Sequence, residues 1–279
     1  MRAGVESAAA VGVCSWSLQP GTAWELVDRV HACGLSAVQL ALDPLRTGAM
    51  PLPEVTHVFG EHDVRVLSGM MAMEGEDYST LESIRRTGGI VPDETWPANE
   101  AAAIGNARIA AALGIRLVTL HAGFVPHEPG AMRRQLVDRL RRLADIFGEQ
   151  DVKIALETGQ ESAQTLLELV RELHAHDIGV NFDPANMILY GMGDPVAAVQ
   201  VLSPYVKQIH IKDAIPSESP GEWGTEVIAG DGFVEWDAFF AALREQHVEC
   251  DLIIEREAGD DRVHDTRAAV ALLMTRGLG

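Results

Sequence analysis

The chain alternates eight times between short apolar runs and longer segments of helical period. The runs are nearly continuous in apolar residues, a pattern typical of strands that are covered on both faces. Strands of this kind occur in parallel sheets whose crossover connections are helices. The predicted strands are Val11–Leu18, Ala37–Leu42, Val64–Met71, Leu117–His121, Lys153–Glu157, Ile178–Asp183, Lys207–Ile211 and Leu252–Glu255.

Eight consecutive strand–helix units predict an α/β fold, a (β/α)8 TIM barrel. A doubly wound sheet is the alternative, but it normally has fewer strands and a GxGxxG turn after its first strand, which this sequence lacks. The 279 residues are 47% hydrophobic, and no linker rich in Pro, Gly or Ser divides them. We therefore expect a single barrel domain over residues 1–279.

The last four predicted strands end in residues that can bind a metal ion: Glu157, Asp183, His210 and Glu255. In a barrel, the C-terminal ends of successive strands are neighbours on one rim, so these side chains should converge. Three carboxylates held together repel one another, and a divalent cation removes that repulsion. Oxygen-rich ligation with one nitrogen favours Mn²⁺, with Mg²⁺ or Co²⁺ as alternatives, over a closed tetrahedral zinc site.

Each of these residues also has an ordinary structural explanation. Glu157 would cap the helix that follows it, and His210 would be a histidine packed in the core. One such residue at each of four successive strand ends favours the metal site. Glu257 would point to the same side as Glu255 if the strand ran longer. Glu255 is the preferred ligand because it directly follows the apolar run.

The sequence around these strand ends resembles the xylose-isomerase-like sugar isomerase/epimerase superfamily. Its members include ketose 3-epimerases, hydroxypyruvate isomerase, inosose dehydratase and, more distantly, endonuclease IV. The resemblance covers most of the chain from Val11 to the last helix, and it is specific for the superfamily but not for a substrate. The motifs that carry it are Glu157 in ALETGQES, Asp183 in NFDPAN, His210 in QIHIKDA and Glu255 in IIEREAG.

The resemblance implies a metal-dependent isomerase or epimerase that acts on a keto-sugar or keto-polyol through an enediolate intermediate. Glu157 and Glu255 would bind the metal and also act as acid and base on opposite faces of the sugar. A lyase or dehydratase that acts on a keto-sugar, an inosose or a 3-keto-glycoside through the same intermediate is the first alternative. A sugar-binding barrel without catalysis is the alternative from another class.

Four further residues are candidates for contacts to the substrate: Asn186, Lys212, His121 and Trp16. Asn186 stands where ketose 3-epimerases generally place a histidine, and residues 214–234 contain no arginine of the kind those enzymes carry. Asn186 and Lys212 are therefore the local candidates for hydrogen bonds to substrate oxygens. His121 either contacts the substrate or orients Glu157. Trp16, at the tip of the first predicted strand, either walls the pocket or fills the barrel.

Two connections on the same rim, Ala72–Ala98 and Ala214–Glu235, are long enough to predict lids over the site. The formal net charge of −19 disfavours nucleic acid and anionic membrane surfaces as partners, and Asn186 also opposes an endonuclease. The three cysteines form no CxxC pair, and no signal peptide or membrane-spanning segment is evident. We therefore expect a cytoplasmic protein with a small-molecule sugar substrate, and a homodimer is expected from the resemblance alone.

Overall fold

Eight parallel strands form a closed barrel in the computed structural model, which describes residues 9–173, 176–219 and 221–278. Each strand pairs with the strands that precede and follow it in the barrel order, and the last pairs with the first. This arrangement confirms the predicted (β/α)8 fold. The barrel strands are β1 Val11–Cys14, β2 Ala37–Ala41, β3 Arg65–Met70, β4 Leu117–Leu120, β5 Lys153–Glu157, β6 Gly179–Phe182, β7 Val206–Ile211 and β10 Asp251–Ile254, and a separate antiparallel pair consists of β8 Asp213–Ile215 and β9 Thr225–Val227.

Helices surround the barrel and bury their apolar faces against the strands. Several begin at polar residues that accept a hydrogen bond from the first turn, as Thr22, Ser162 and Asp194 do. Within the described residues, no helix combines the length and the hydropathy needed to cross a membrane. The helices are α1 Ala23–Ala32, α2 Asp43–Arg46, α3 Leu52–Glu61, α4 Leu81–Thr87, α5 Trp96–Ala112, α6 Ala131–Gly148, α7 Ala163–Glu172, α8 Pro184–Leu189, α9 Pro195–Leu202, α10 Trp236–Glu245 and α11 Arg262–Met274.

The interior of the barrel holds a layer of hydrogen-bonded polar side chains below the C-terminal rim. Ser68 Oγ donates to Gln208 Oε1 over 2.5 Å, and Gln208 Nε2 donates to Asn181 Oδ1 over 3.1 Å. All three side chains are essentially inaccessible to solvent. Their mutual hydrogen bonds offset the cost of burying them. The apolar core lies outside this layer, between the strands and the helices.

The first strand is shorter than predicted. It ends at Cys14, and residues Trp16–Leu18 form a turn of 3₁₀ helix. Ser15 ends the strand because its Oγ accepts from Ala41 N over 2.9 Å and its carbonyl accepts from Leu18 N over 3.3 Å. Trp16 therefore projects from a turn above the barrel rather than from a strand tip.

Both long connections contain regular structure that the sequence analysis did not predict. The first includes α4, which begins with a capping box between Thr80 and Ser83. The second includes the β8–β9 hairpin, which is closed by Asp213. That carboxylate is fully buried and accepts hydrogen bonds from three backbone N–H groups and from Trp236 Nε1. Local hydrogen bonds thus order both connections.

Candidate active site

Four side chains from successive strand ends meet at the C-terminal rim of the barrel: Glu157, Asp183, His210 and Glu255. All are buried, and one potential ligand atom from each lies within 4.8 Å of the others. His210 Nδ1 is 3.4 Å from Glu157 Oε1 and 3.3 Å from Glu255 Oε2. The same nitrogen is 3.8 Å from Asp183 Oδ2. The structure therefore brings together the four residues that the sequence singled out.

The two carboxylate oxygens of Asp183 differ in their hydrogen bonds. It caps α8, because its Oδ1 accepts from Ala185 N over 2.8 Å and from Asn186 N over 3.0 Å. Pro184 at the first helical position favours this cap. Oδ2 is buried and has no hydrogen-bond partner among the described residues. Leaving a buried carboxylate oxygen unpaired is costly, so this oxygen fits a cation bound between the four side chains.

Gln39 determines which nitrogen of His210 faces the carboxylates. Gln39 Nε2 lies 2.8 Å from Thr119 Oγ1 and 3.3 Å from the carbonyl oxygen of Gly69, which can only accept. The other end of the amide, Oε1, therefore faces His210 Nε2 at 2.7 Å and requires a proton on that nitrogen. With its proton fixed on Nε2, the ring turns Nδ1 toward the three carboxylates. Burial opposes a charged ring, but Glu255 and Glu157 raise the pKa of His210 well above its usual value, so Nδ1 also carries a proton here, which a bound metal ion would replace.

We expect Gln39→Met to weaken the binding of Mn²⁺ by about 10–100-fold, because the tautomer and ring orientation of His210 are no longer fixed. Calorimetric titration of the metal-free protein measures the affinity, and ¹⁵N NMR of the histidine ring reports the tautomer. Gln208→Met is the matched control, since Gln208 is also a buried glutamine of the barrel interior but does not bond to His210. Equal affinities of Gln39→Met and the unmodified protein would contradict this role.

Glu157 is surrounded by nitrogen atoms from strand β6, from helix α8 and from the loop after β4. Asn186 Nδ2 donates to its Oε1 over 2.9 Å, Asn181 Nδ2 donates to Oε2 over 3.4 Å, and His121 Nε2 lies 3.7 Å from Oε2. Burial by itself would raise the pKa of Glu157, but the charges of His121 and His210 outweigh burial and lower the pKa. Asn186, a candidate for substrate contact, is therefore bonded to Glu157 in this structure.

Glu255 has an indole and an ammonium group as its partners. Trp16 Nε1 donates to Oε1 over 2.9 Å, and Lys212 Nζ donates to Oε2 over 2.9 Å. Burial opposes ionisation, yet Lys212 and His210 hold the pKa of Glu255 well below its usual value. Trp16 thus lies at the site, where it fixes one oxygen of Glu255, and does not fill the barrel interior.

Lys212 connects Glu255 to Glu157 by way of Asn186, because it donates to Glu255 and to Asn186, and Asn186 donates to Glu157. Its Nζ also donates to Asn186 Oδ1 over 3.3 Å and to Glu257 Oε2 over 2.5 Å. Only 2% of the Lys212 side chain is exposed, whereas 54% of the Glu257 side chain is. Glu257 is therefore a partially exposed partner of Lys212, as the sequence analysis favoured, and it lies outside the four-residue group.

His121 and Tyr78 line the same side of the site. The two rings have their centroids 6.5 Å apart in an edge-to-face arrangement, and the His121 side chain is 25% exposed. His121 Nδ1 is buried without a hydrogen-bond partner in the described parts of the chain. The position of His121 beside Glu157 and next to solvent is compatible with both roles considered for it.

The sequence analysis missed Gln39 as a residue of the site. Its only signal is an amide side chain at the centre of the otherwise apolar run Ala37–Leu42. A polar residue in a strand covered on both faces must find a buried partner. Which partner it finds depends on the strands that lie across the barrel, and a single sequence does not specify that.

The donor set of three carboxylates and one imidazole fits a divalent metal ion. A second combination, Cys14 with His210 and Glu255, also brings three potential ligand atoms together. It fits a metal less well, because burial raises the pKa of the Cys14 thiol and keeps it protonated. The thiol also faces the His210 nitrogen that is bonded to Gln39, at 3.8 Å.

Comparisons with known proteins agree with this fold. A xylose isomerase domain protein from Planctomyces limnophilus superposes with a TM-score of 0.84 at 31% identity and 98% coverage of both chains. D-allulose 3-epimerase from Methylomonas sp. superposes with a TM-score of 0.72, at 15% identity, 96% coverage of this chain and 97% of the other, which shows a shared fold.

Sequence comparison gives a curated relative and a family. The uncharacterized protein YihM from Escherichia coli K12 is 27% identical over 139 residues, which is 48% of this chain. The matched stretch spans 42% of the length of YihM. The model of the xylose isomerase-like TIM barrel family matches residues 27–276. This chain therefore belongs to the xylose isomerase-like TIM barrel family.

Proposed function

We propose that this protein is a divalent-metal-dependent isomerase or epimerase that enolises a keto-sugar or keto-polyol. The observation that carries the proposal is the buried group of three carboxylates and one imidazole, in which Asp183 Oδ2 has no hydrogen-bond partner among the described residues. Mn²⁺ is the ion we propose, with Mg²⁺ or Co²⁺ as alternatives. The D-allulose 3-epimerase of the same fold acts on a sugar, as its name states, and supports this class of substrate.

The two glutamates supply the acid and the base in this proposal. Glu157 and Glu255 belong to strand ends on either side of His210, and their lowered pKa values keep both ionised near neutral pH. One carboxylate removes a proton from the carbon beside the carbonyl group, and the other returns a proton to the opposite face. A bound divalent ion would stabilise the negative charge that develops on oxygen. Return of the proton to the adjacent carbon would instead give isomerisation.

The remaining candidates orient these groups or contact the substrate. Lys212 and Trp16 hold the two oxygens of Glu255, and Asn186 holds Glu157. Substrate hydroxyl groups would compete for these donors, which is how Asn186 and Lys212 would recognise a polyol. Because Asn186 replaces the histidine of ketose 3-epimerases, we expect a substrate preference that differs from theirs.

Solvent exchange tests the proposal directly. The Mn²⁺-loaded protein is incubated in D₂O with ketohexoses, ketopentoses, inososes and 3-keto-glycosides, and deuterium uptake is followed by NMR. We expect uptake at one carbon of a single compound class, and loss of uptake after treatment with EDTA. The products distinguish epimerisation, isomerisation and elimination. Binding of a sugar without any exchange would contradict the proposal and favour a sugar-binding protein.

A further inference from the structure

A cleft of about 330 Å³ lies beside the candidate active site, between the two long connections of the C-terminal rim. One part of its wall consists of Leu81 and Arg85 of α4 together with Phe124 of the loop after β4. Residues 188–192, at the end of α8, form a second part. The connection after β8 supplies Pro216 and Glu222. This volume is in the lower part of the range for small-molecule sites, which is ~300–1,000 Å³.

Helix α8 connects this cleft to the catalytic carboxylates. Asn186, which donates to Glu157, and Tyr190, which lines the cleft, are four residues apart and so lie on the same face of the helix. Gly159 packs against both: a Cβ atom placed there would lie 2.6 Å from Asn186 Cβ and 3.2 Å from Tyr190 Cδ2. The cleft therefore begins about one helical turn, ~5–6 Å, from the residue that positions Glu157.

The cleft offers aromatic faces together with hydrogen-bonding groups of both charges. Phe124 and Tyr190 lie edge to face with centroids 6.0 Å apart, and the guanidinium of Arg85 lies 5.0 Å from the centroid of Phe124. Arg85 has no salt-bridge partner among the described side chains, and Glu222 adds an exposed carboxylate. Arg85 alone would attract a phosphate or carboxylate group, whereas Glu222 and the net charge of −19 oppose the binding of one. A neutral ring with apolar faces and hydroxyl edges matches this lining.

We propose that the cleft binds the second sugar ring of a keto-glycoside whose oxidised ring lies at the four-residue site. The inference rests on the proposed function for the position of the oxidised ring, and on the cleft itself for the second ring. Arg85 and Glu222 would bond to hydroxyl groups, and Tyr190 would pack against the apolar face of the ring. The preferred substrate is then a glycoside carrying a second ring, and not a free monosaccharide.

Two sets of substrates test this assignment: methyl 3-keto-α-D-glucopyranoside, and the 3-keto derivatives of trehalose, maltose and lactose. We expect kcat/KM for deuterium exchange to be at least roughly tenfold higher with one or more of the disaccharides than with the methyl glycoside. This is the gain in binding that one or two hydrogen bonds to a charged group provide. Arg85→Ala should remove that preference, with about a twofold change or less for the methyl glycoside. Arg86→Ala is the matched control, because Arg86 is an exposed arginine of the same helix outside the cleft.

Measurements of sugar binding test the cleft separately from the proposed enolisation. Titration calorimetry measures the affinity of the unoxidised disaccharides for the Mn²⁺-loaded protein and for the Arg85→Ala and Arg86→Ala variants. Binding that only Arg85→Ala weakens, without exchange of any keto-sugar, would support the cleft and refute the enolisation. Exchange at equal kcat/KM for the methyl glycoside and all disaccharides, unaffected by Arg85→Ala, would overturn the cleft and leave the proposed function intact. Absence of both binding and exchange would overturn both.

Discussion

In the proposed epimerisation, replacing Glu255 by glutamine is expected to lower the rate at which the two epimers of the substrate interconvert by about 10²–10⁴-fold, the usual contribution of a positioned acid or base. Glutamine keeps the size of the side chain and can still accept from Trp16, but it cannot take up the proton. Glu157→Gln should reduce interconversion by a similar factor. The measurement is the conversion of each purified epimer, followed by NMR at a Mn²⁺ concentration that saturates each variant.

Deuterium exchange by the same two variants tests the assignment of one glutamate to each face. If each carboxylate serves one face, each variant should still exchange the proton of one epimer, and the two variants should differ in which epimer that is. Both residues are also proposed ligands, so metal binding must be measured separately by calorimetry. Glu168→Gln is the control, because Glu168 is exposed on α7 and its carboxylate accepts from Gln164, away from the four-residue group. Full interconversion by either variant with metal bound would refute the two-glutamate mechanism.

Replacing Asp213 by alanine is expected to lower the free energy of unfolding by about 3 kcal/mol, because several buried donors lose a charged acceptor at once. The donors are the backbone N–H groups of Ala214, Gly230 and Val234 and the indole of Trp236, at 2.8–3.0 Å. Urea unfolding followed by circular dichroism measures the change. The β8–β9 connection, which lines the cleft, should lose its order before the barrel unfolds.

Asp237→Ala provides the comparison for this measurement. Asp237 also belongs to the segment around Trp236, but its side chain is 87% exposed and pairs with Arg276 at the surface. Surface ion pairs contribute little to stability, so we expect a small change. Equal losses of stability in the two variants would show that the hydrogen bonds of Asp213 are not what orders this connection.

The order of the strands and the ends of most of them could be predicted from the sequence, since they follow from local patterns. Apolar runs of strand length alternate with amphipathic segments, and barrel closure in chain order brings the strand ends together on one rim. For this reason Glu157, Asp183, His210 and Glu255 could be grouped from residue patterns alone. The error at the first strand has a local cause: Ser15 bonds to Ala41 on another strand, and the apolar run continues as a 3₁₀ turn.

The sequence by itself determined the barrel, the rim on which the site lies and the four residues that converge there, because each follows from periodicity and from a topology that preserves chain order. Only the tertiary structure decided how these residues are held. Gln39 and His210 are 171 residues apart, and their hydrogen bond depends on which strands face each other across the interior. The cleft beside Tyr190 likewise forms only where two ordered connections meet α8. Contacts of this kind depend on the register and shape of elements far apart in the chain, which local residue patterns do not encode.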